Sequence, residues 1–523
     1  MTAALSPQTL STMLLNALDQ HPDSVAFVWD GGQMSYRAAS ERIGRMQAVF
    51  SAAGLARGAR IGVLAGNSVD AWCASAAAQA SGMATTALQP MSSLEDQLFQ
   101  LEDFGAEVLV ADAAAFGERA SVLGQRCAGL KQTYTLAAAG FGIDLAVAAD
   151  HAGHATMRDL SSPWDMALLQ YTGGTTGRAK GAVRSQAGYA AMIQQTSAGF
   201  DLPVRPKYLA AAPITHVAGS LVVPTLMRGG TVRLMSSFNP ARVLELIAAE
   251  RINLTLLVPT MIYTLLDAPE LARADLSSLE SVIYGASPMS PSRLVEGLER
   301  IGPVFAQLYG QTEGFPITFL RREDHDPRRA HLFASCGNAT PGATVAVLDD
   351  EDRPVPVGEV GELCVRGPQV MQGYHNQPEL TDAALRNGWL HTGDMARADD
   401  QGYYFIVDRK KDMIVSGGFN VYPRDVEDVI SSHPAVAMVA VIGVPDAKWG
   451  EAVTAVVQCR TGVASDSATL ARELTSMVRE KKGSVLTPKH FEFVQEMPRT
   501  AVGKIDKKVL RQAYWADQDR QVA

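Results

Sequence analysis

Short apolar runs that end in glycine or a small polar residue alternate with amphipathic stretches along the first two thirds of this chain. Examples of these runs are 60–66, 107–112, Met166–Thr172, 254–259, Ser281–Gly285 and 303–310. The alternation predicts α/β units with parallel strands, and an open α/β sheet places its ligand crevice at the carboxyl ends of such strands. At 523 residues the chain is long enough for several such units.

Charge and composition exclude several classes of function. Forty-six basic and 55 acidic residues give a net charge of −9, so no overall positive field can hold a nucleic acid, and none is expected as a partner. Five cysteines without CxxC spacing argue against a disulfide framework or a structural zinc site and favour a reducing cytoplasm. The first basic residue is Arg37, so no secretory signal is expected.

One uncharged segment, 208–227, is long enough to span a bilayer. It contains Pro213, His216, Gly219 and Pro224, which interrupt a regular apolar helix. We therefore expect buried core here and no integral membrane contact.

The pattern changes in the last third of the chain. Segments 344–349 and 359–365 predict antiparallel strands around a turn-rich stretch, and the charged stretch 408–412 predicts a hinge. Beyond the hinge, we expect helices at 423–431, at 467–481 and after Lys504, with strands at 436–444, 452–459 and 491–495. The prediction is a large N-terminal domain with α/β layers and a β-rich part at 1–407, a hinge at 408–412, and a small mobile α+β domain at 413–523.

A glycine- and threonine-rich loop follows the strand predicted at Met166–Thr172. Glycines permit close backbone approach to a ligand, while hydroxyls and a lysine donate to anions, so a polyphosphate is the expected guest. The loop lacks the P-loop pattern, because Arg178 and Ala179, five places after Gly173 and Gly174, occupy the position of its second glycine, and a flexible surface loop stays an alternative. Its candidate residues are Thr172, Gly173, Gly174, Thr175, Thr176, Gly177 and Lys180.

Further signatures follow in order along the chain: Gly285-Ala286-Ser287, Tyr309-Gly310-Gln311-Thr312-Glu313, Trp389 to Asp394, Arg409, and Pro498 to Lys504. Together with the loop they resemble the adenylate-forming family of acyl-CoA synthetases, nonribosomal adenylation domains and beetle luciferases. The loop departs from the family's pattern at Gly173, where serine is usual, and at Ala179, where proline is usual.

The resemblance implies a role for each signature in a nucleotide site. It implies that Tyr309 stacks on adenine beside Gly310 and Gln311, that Thr312 contacts the α-phosphate and that Glu313 holds Mg²⁺. By the same resemblance, Gly285, Ala286 and Ser287 line the adenine and acyl sites, Asp394 and Arg409 bind the ribose, and Lys504 bridges the substrate carboxylate and the α-phosphate. Catalytic roles are thereby expected for Lys504, Thr312, Glu313 and His216.

His216 matches the position of the family's gate to the acyl site, although a structural histidine in its apolar surroundings is a serious alternative. The family also implies that the C-terminal domain rotates about Lys411 between two half-reactions. This rotation would bring up Ser416, Gly417 and Gly418, whose small size leaves room for the pantetheine arm of coenzyme A.

These features predict an ATP-dependent acid:CoA ligase that uses ATP, Mg²⁺ and coenzyme A. Across 281–290 and 301–320 Glu313 is the only charged residue, so a medium- or long-chain fatty acid or an aromatic acid is the expected substrate. Two alternatives remain: an adenylating enzyme that loads a carrier-protein thiol, and a nucleotide-binding regulatory protein without catalysis. A homodimer is a further possibility that the sequence leaves open.

Overall fold

The computed structural model describes residues 7–172, 179–410, 412–446, 448–460, 466–500 and 504–515. The α-helices are α1 (Leu10–Gln20), α2 (Tyr36–Ala52), α3 (Val69–Ala80), α4 (Leu94–Phe104), α5 (Ala113–Arg126), α6 (Leu145–His151), α7 (Gln186–Gly199), α8 (Val222–Met227), α9 (Pro240–Glu250), α10 (Pro259–Asp267), α11 (Pro291–Arg300), α12 (Pro378–Ala384), α13 (Pro423–Ser431), α14 (Ser467–Leu486) and α15 (Lys507–Trp515).

The strands form four sheets. In chain order they are β1 (Val25–Trp29), β2 (Gly32–Ser35), β3 (Arg60–Leu64), β4 (Ala84–Ala87), β5 (Val108–Ala111), β6 (Gln132–Thr135), β7 (Ile143–Asp144), β8 (Met166–Thr172), β9 (Lys180–Ser185), β10 (Lys207–Ala210), β11 (Thr231–Leu234), β12 (Leu254–Leu257), β13 (Ser281–Gly285), β14 (Phe305–Gln311), β15 (Gly314–Leu320), β16 (Asn338–Ala339), β17 (Thr344–Leu348), β18 (Gly361–Arg366), β19 (Gly373–Tyr374), β20 (Leu390–Ala398), β21 (Tyr404–Arg409), β22 (Ile414–Ser416), β23 (Phe419–Val421), β24 (Val436–Asp446), β25 (Gly450–Cys459) and β26 (His490–Val494).

Two large sheets form the first part of the molecule. One has nine strands in the order β16-β15-β14-β13-β12-β10-β11-β1-β2, and the other has eight in the order β19-β9-β8-β4-β3-β5-β6-β7. All five residues of β13 are buried, as expected for a parallel strand covered by helices on both faces. The predicted parallel strands are thus present, although β9 and β15 pair antiparallel and make both sheets mixed.

The predicted strand at 254–259 is two residues too long. The strand ends at Leu257 because Pro259 opens α10, where a missing N–H and a fixed φ suit the first turn of a helix. The uncharged segment 208–227 is mostly buried, as predicted: it holds β10, a short 3-10 helix at Val217–Leu221 and α8. Among the described residues, no helix combines the length and the apolar character that a bilayer crossing requires.

Two smaller sheets follow. The antiparallel sheet β17-β18-β20-β21 is the predicted β-rich part. The last sheet contains β22 to β26, and its long β24–β25 hairpin is covered by α13 and α14. The apolar face of α13 is buried against this hairpin through Val426, Val429 and Ile430, which lie at helical spacing. This amphipathic pattern accounts for the agreement of α13 with the helix predicted at 423–431.

Candidate active site

Three residues of the predicted nucleotide site meet where the nine-stranded and four-stranded sheets face each other. The Tyr309 hydroxyl, at the end of β14, donates to Asp394 Oδ2 across 2.5 Å. Arg409 Nε lies 3.4 Å from Asp394 Oδ1, because Asp394 and Arg409 are direct partners in the β20–β21 register. Asp394 is only 6% exposed. The structure thus brings together residues that lie 85 positions apart in the chain.

Burial and the Asp394 charge raise the pKa of Tyr309 well above its ordinary value. The phenol therefore stays protonated at any physiological pH and can act as a hydrogen-bond donor. Since an ionised carboxylate only accepts, the pair has a fixed polarity, with Asp394 as the acceptor. An acceptor oriented in this way suits hydroxyl donors such as those of a ribose.

Lys504 follows the strands of the last sheet in the chain and lies near Asp394 and Arg409. Its backbone N–H donates to Thr500 Oγ1 at 3.2 Å, and the Thr500 N–H donates back to the Lys504 carbonyl at 2.7 Å. Burial lowers the pKa of Lys504 to about 8, helped by the Arg409 charge and opposed by Asp394. A lysine with a lowered pKa beside an acid–base pair is the electrostatic signature of a functional site.

His216 lies in the same electrostatic neighbourhood. Burial, together with the Lys504 charge, lowers the pKa of His216. Its Nδ1 lies 3.0 Å from Thr215 Oγ1, and its Nε2 lies 3.3 Å from the amide nitrogen of Gln89. A neutral imidazole that accepts from Gln89 and donates from Nδ1 satisfies both contacts.

The loop that carries His216 is fixed by the side chain of Asn67. Asn67 Oδ1 accepts from the Ile214 N–H at 2.8 Å, and its amide nitrogen donates to three backbone carbonyls on that side of the sheet, those of Ala210, Ala212 and Met235. The imidazole is therefore held by packing and hydrogen bonds rather than placed on a free loop.

Thr312 and Glu313 form the turn between β14 and β15. Buried Arg184 donates to the Thr312 carbonyl at 2.9 Å, and the Tyr374 hydroxyl donates to Glu313 Oε1 at 2.8 Å. Lys180 Nζ lies 5.3 Å from the centre of the Tyr374 ring, so the end of the glycine-rich loop and the Glu313 turn approach the same aromatic side chain. The Glu313 carboxylate is partly exposed and lies beside the end of the loop predicted to bind phosphates. Its oxygens suit a hard cation that is also coordinated by phosphate oxygens.

The strand-end segment Gly285-Ala286-Ser287 has an unusual backbone. Ala286 has a φ of 64°, a conformation that an L-residue with a Cβ adopts at a cost of about 1 kcal/mol.

Gly310, in the neighbouring strand, has no room for a side chain, since a Cβ there would lie 2.8 Å from the Phe315 ring. Gln311 pairs with Gly314 at the end of the β14–β15 hairpin.

The glycine-rich loop and the hinge fall largely outside the part of the chain that the structure describes. Thr172 ends β8, and its hydroxyl lies 3.5 Å from the Lys180 carbonyl. Gly173, Gly174, Thr175, Thr176, Gly177 and the predicted hinge residue Lys411 lie outside the described residues.

The predicted coenzyme A segment forms the tight turn between β22 and β23. Ser416 pairs with Phe419, while Gly417 and Gly418 have φ values of 60° and 81°, which favour glycine at both positions. The Gly417 N–H donates to the Trp449 carbonyl at 2.8 Å. A Cβ at Gly418 would meet no atom within 4 Å, so this turn leaves open space on one side.

Sequence reasoning missed four side chains that contact the site. Gln89 touches His216, Tyr374 touches Glu313, Arg184 supports the Thr312 turn, and Glu362 accepts from the Gly393 N–H at 2.9 Å. Each lies far in sequence from the residue it contacts, and no local pattern marks it. Among the described residues, Glu362, Cys364 and His391 also form the one group whose donor atoms are close enough to share a metal ion.

Comparison with known proteins gives these sites a context. Residues 14–375 match the model of the AMP-binding enzyme family, and residues 425–504 match the model of its C-terminal domain. The chain belongs to the AMP-binding enzyme family. This membership confirms the family indicated by the signatures, and with it the predicted mixed α/β fold.

Several proteins of known name are similar to this chain over two thirds of its length or more. The chain is 42% identical to a medium/long-chain-fatty-acid–CoA ligase, FadD8, of Mycobacterium tuberculosis, covering 99% of this chain and 92% of that protein. It is 40% identical over 67% of its length to a feruloyl-CoA synthase of Amycolatopsis, of which 70% is covered. A fatty acid–[acyl-carrier-protein] ligase, ScoC, of Streptomyces coeruleorubidus is 32% identical, with 96% of both chains covered.

Among solved structures, the amide bond synthetase McbA of Marinactinospora thermotolerans superposes with a TM-score of 0.88. That chain is 32% identical, and 96% of this chain and 99% of McbA are covered. The comparisons confirm the predicted enzyme class, an AMP-forming acid–thiol ligase, and the predicted use of ATP, Mg²⁺ and coenzyme A by such enzymes.

Proposed function

We propose that this protein is an ATP-dependent acid:CoA ligase that activates a medium- or long-chain fatty acid or an aromatic acid. The observation that carries the proposal is the position of Lys504, whose pKa responds to Arg409 and Asp394 in the cleft and whose charge lowers the pKa of His216. One ammonium is therefore close enough to interact electrostatically with both the proposed ribose site and the proposed acyl gate.

In the first half-reaction, the carboxylate oxygen of the acid attacks the α-phosphorus of ATP, and pyrophosphate leaves. Both reactants are anions, so positioning and charge neutralisation carry most of the catalysis. Asp394 and Arg409 would hold the ribose, Thr312 would contact the α-phosphate, and Lys504 would offset the repulsion between carboxylate and phosphate. Glu313 would hold Mg²⁺, which when bound neutralises charge on the phosphate oxygens.

In the second half-reaction, a thiol attacks the acyl-adenylate carbonyl, and AMP leaves with the electron pair of the anhydride bond. We propose that the 413–523 domain turns about Lys411 within the 408–412 hinge, withdrawing Lys504 from the 1–407 domain. The pantetheine arm of coenzyme A would then pass the turn formed by Ser416, Gly417 and Gly418. The open space beside Gly418 leaves room for this narrow chain.

The remaining predicted contacts of the nucleotide fall on two segments. The loop residues Thr172, Gly173, Gly174, Thr175, Thr176, Gly177 and Lys180 would surround the phosphates, and Gly285, Ala286, Ser287, Tyr309, Gly310 and Gln311 would surround the adenine. The ends of β13 and β14 support the second assignment, because Gly285 pairs with Leu308 and the next residue of β14, Tyr309, donates to Asp394.

An apolar acid is the proposed substrate. His216 is held neutral in apolar surroundings, and a neutral gate offers no counter-ion for a second carboxylate. The relatives FadD8 and feruloyl-CoA synthase are named for a fatty acid and an aromatic acid, respectively. A screen of pyrophosphate release with straight-chain, aromatic and dicarboxylic acids tests this, and activity with dicarboxylic acids alone would contradict it.

A second function differs only in the thiol acceptor. The relative ScoC is named as a ligase that transfers a fatty acid to an acyl carrier protein, which keeps carrier loading in view. Thioester formation with coenzyme A and with a holo carrier protein should be compared at equal adenylate supply. Product with coenzyme A alone supports the proposal, whereas product with the carrier alone would replace it.

We further propose that the enzyme works in the cytoplasm, which suits five cysteines that are all free. A homodimer is proposed as its assembly state. Light scattering on the purified protein would decide the assembly state, and fractionation of cells that express the chain would decide the location.

A further inference from the structure

The ribose-binding aspartate stands on a bulged strand. In the β18–β20 pairing, Glu362 faces Met395 and Cys364 faces His391, so β20 has two more residues than β18 between these pairs. The extra length places Gly393 at a φ of 70°, where glycine is favoured. A bulge of this kind re-aims the side chain that follows it, which here is Asp394.

Glu362 closes this bulge from the neighbouring strand. Its Oε1 accepts from the Gly393 N–H at 2.9 Å, and its Oε2 lies 3.2 Å from His391 Nδ1. Thr392 adds two further bonds: its hydroxyl donates to the Leu363 carbonyl at 2.6 Å and accepts from the Asp394 N–H at 3.1 Å. The backbone on both sides of Gly393 is therefore fixed by side chains.

His391 links Glu362 to a second carboxylate. His391 Nε2 lies 3.5 Å from Asp352 Oδ1, and the His391 side chain is 7% exposed. Asp352 is itself fixed by Arg386, at 2.6 and 3.1 Å, and by the Asn387 amide at 2.5 Å. The buried imidazole thus lies between two carboxylates, and a supporting side chain held in this way orients its neighbour, here Glu362, better than a free one does.

We propose that Glu362, held by His391, is a positioning residue that sets the direction of Asp394 toward the ribose. The inference rests on the proposed function, in which Asp394 accepts the ribose hydroxyls. The carboxylate suits this place because it accepts at both oxygens, one for the bulge N–H and one for the imidazole. Without it, the Gly393 N–H would lack its partner and the glycine would be free to adopt other conformations.

Calorimetric titration with ATP tests the inference without any acid substrate. Glu362→Ala should weaken ATP binding about tenfold, the loss expected of one charge-assisted hydrogen bond. Glu362→Gln should recover most of the affinity, because its amide oxygen can still accept from Gly393. The matched control is Glu351→Ala, which removes a carboxylate that is 66% exposed and pairs only with Arg353 among its described contacts, and it should bind ATP as the unmodified protein does.

A double-mutant cycle separates positioning from general destabilisation. In an Asp394→Asn background, Glu362→Ala should weaken ATP binding less than about twofold, because residues that act through one contact are not additive. Full additivity of the two losses would overturn the inference, as would equal losses in Glu362→Ala and Glu362→Gln. A stoichiometric metal ion retained by the unmodified protein and lost in Glu362→Ala would also overturn it, since the cluster would then serve a cation.

The proposed function can fail separately. If the unmodified protein binds ATP but releases pyrophosphate with no acid, the enzymatic proposal fails, and the effect of Glu362 on ATP binding is still measured.

Discussion

The Tyr309 hydroxyl and the Asp394 carboxylate lie 2.5 Å apart, although Tyr309 belongs to the nine-stranded sheet and Asp394 to the four-stranded sheet. The contact ties the proposed adenine site to the proposed ribose site. Because burial and the Asp394 charge raise the pKa of the phenol, it stays protonated and donates at physiological pH. The proposed nucleoside pocket would thus be organised before any nucleotide enters.

Tyr309→Phe tests this preorganisation. The substitution keeps the ring for adenine but removes a donor worth about 1.5 kcal/mol to an ionised acceptor, so the KM for ATP should rise about tenfold with kcat changed little. Initial rates of pyrophosphate release give both constants. The control is Tyr404→Phe, whose hydroxyl donates to the Val345 carbonyl at 2.8 Å outside the cleft. Equal effects in the two variants would contradict a specific role.

Lys504→Ala should abolish adenylate formation, because the variant lacks the ammonium proposed to lie between the carboxylate and the α-phosphate, while leaving thioester formation from supplied acyl-adenylate close to normal. Radiolabelled ATP–pyrophosphate exchange measures the first half-reaction, and release of AMP on addition of coenzyme A measures the second. Equal loss of both half-reactions in a folded variant would refute the alternation of the C-terminal domain.

Gly418→Leu should give the opposite result, with exchange retained and thioester formation lost, because its side chain would occupy the open space at the β22–β23 turn. Its φ of 81° also strains any residue with a Cβ, so Gly418→Ala is the matched control. Both variants share the strain and differ in bulk. Thioester formation that is lost equally in both would point to the strained turn rather than to a blocked channel.

The pKa of Lys504, lowered to about 8, predicts a pH dependence. Raising the pH through about 8 removes the proton and with it the positive charge, so kcat/KM for adenylate formation should fall above pH 8. Lys504→Arg is the control, since a guanidinium keeps its charge and its profile should be flat over that range even if its activity is lower. A profile that falls identically in both proteins would assign the titration to another group.

Arg460 connects the last sheet to the first part of the molecule, with guanidinium nitrogens 3.5 Å from Asp267 and 4.0 Å from Glu296. An exposed ion pair contributes at most about 1 kcal/mol, so Arg460→Ala should slow adenylate formation about two- to fivefold and spare the second half-reaction. Lys482→Ala removes an ion pair with Asp425 within the same unit and should change neither. A larger effect on thioester formation than on exchange would contradict this account.

Local patterns predicted individual elements closely. The amphipathic spacing of Pro423–Ser431 and the apolar run of Ser281–Gly285 give the observed α13 and β13. The strand predicted at 254–259 was too long because the helix-starting preference of Pro259 competes with the apolar run. The antiparallel pairings of β9 and β15 could not be predicted, since strand direction depends on the connections and not on the apolar run itself.

The chemical groups that this protein offers follow from its sequence alone: a glycine-rich loop, the Asp394 carboxylate that we propose binds a ribose, and Lys504. The local elements that carry these groups follow from it as well, because periodicity and caps act over a few residues. The fold alone brings Lys504 close enough to Asp394 for that charge to act on its pKa, sets Gln89 against His216, and places Glu362 across the bulge before Asp394. These interactions join residues that are distant in the chain, and their geometry follows from packing and register, which no local stretch of sequence encodes.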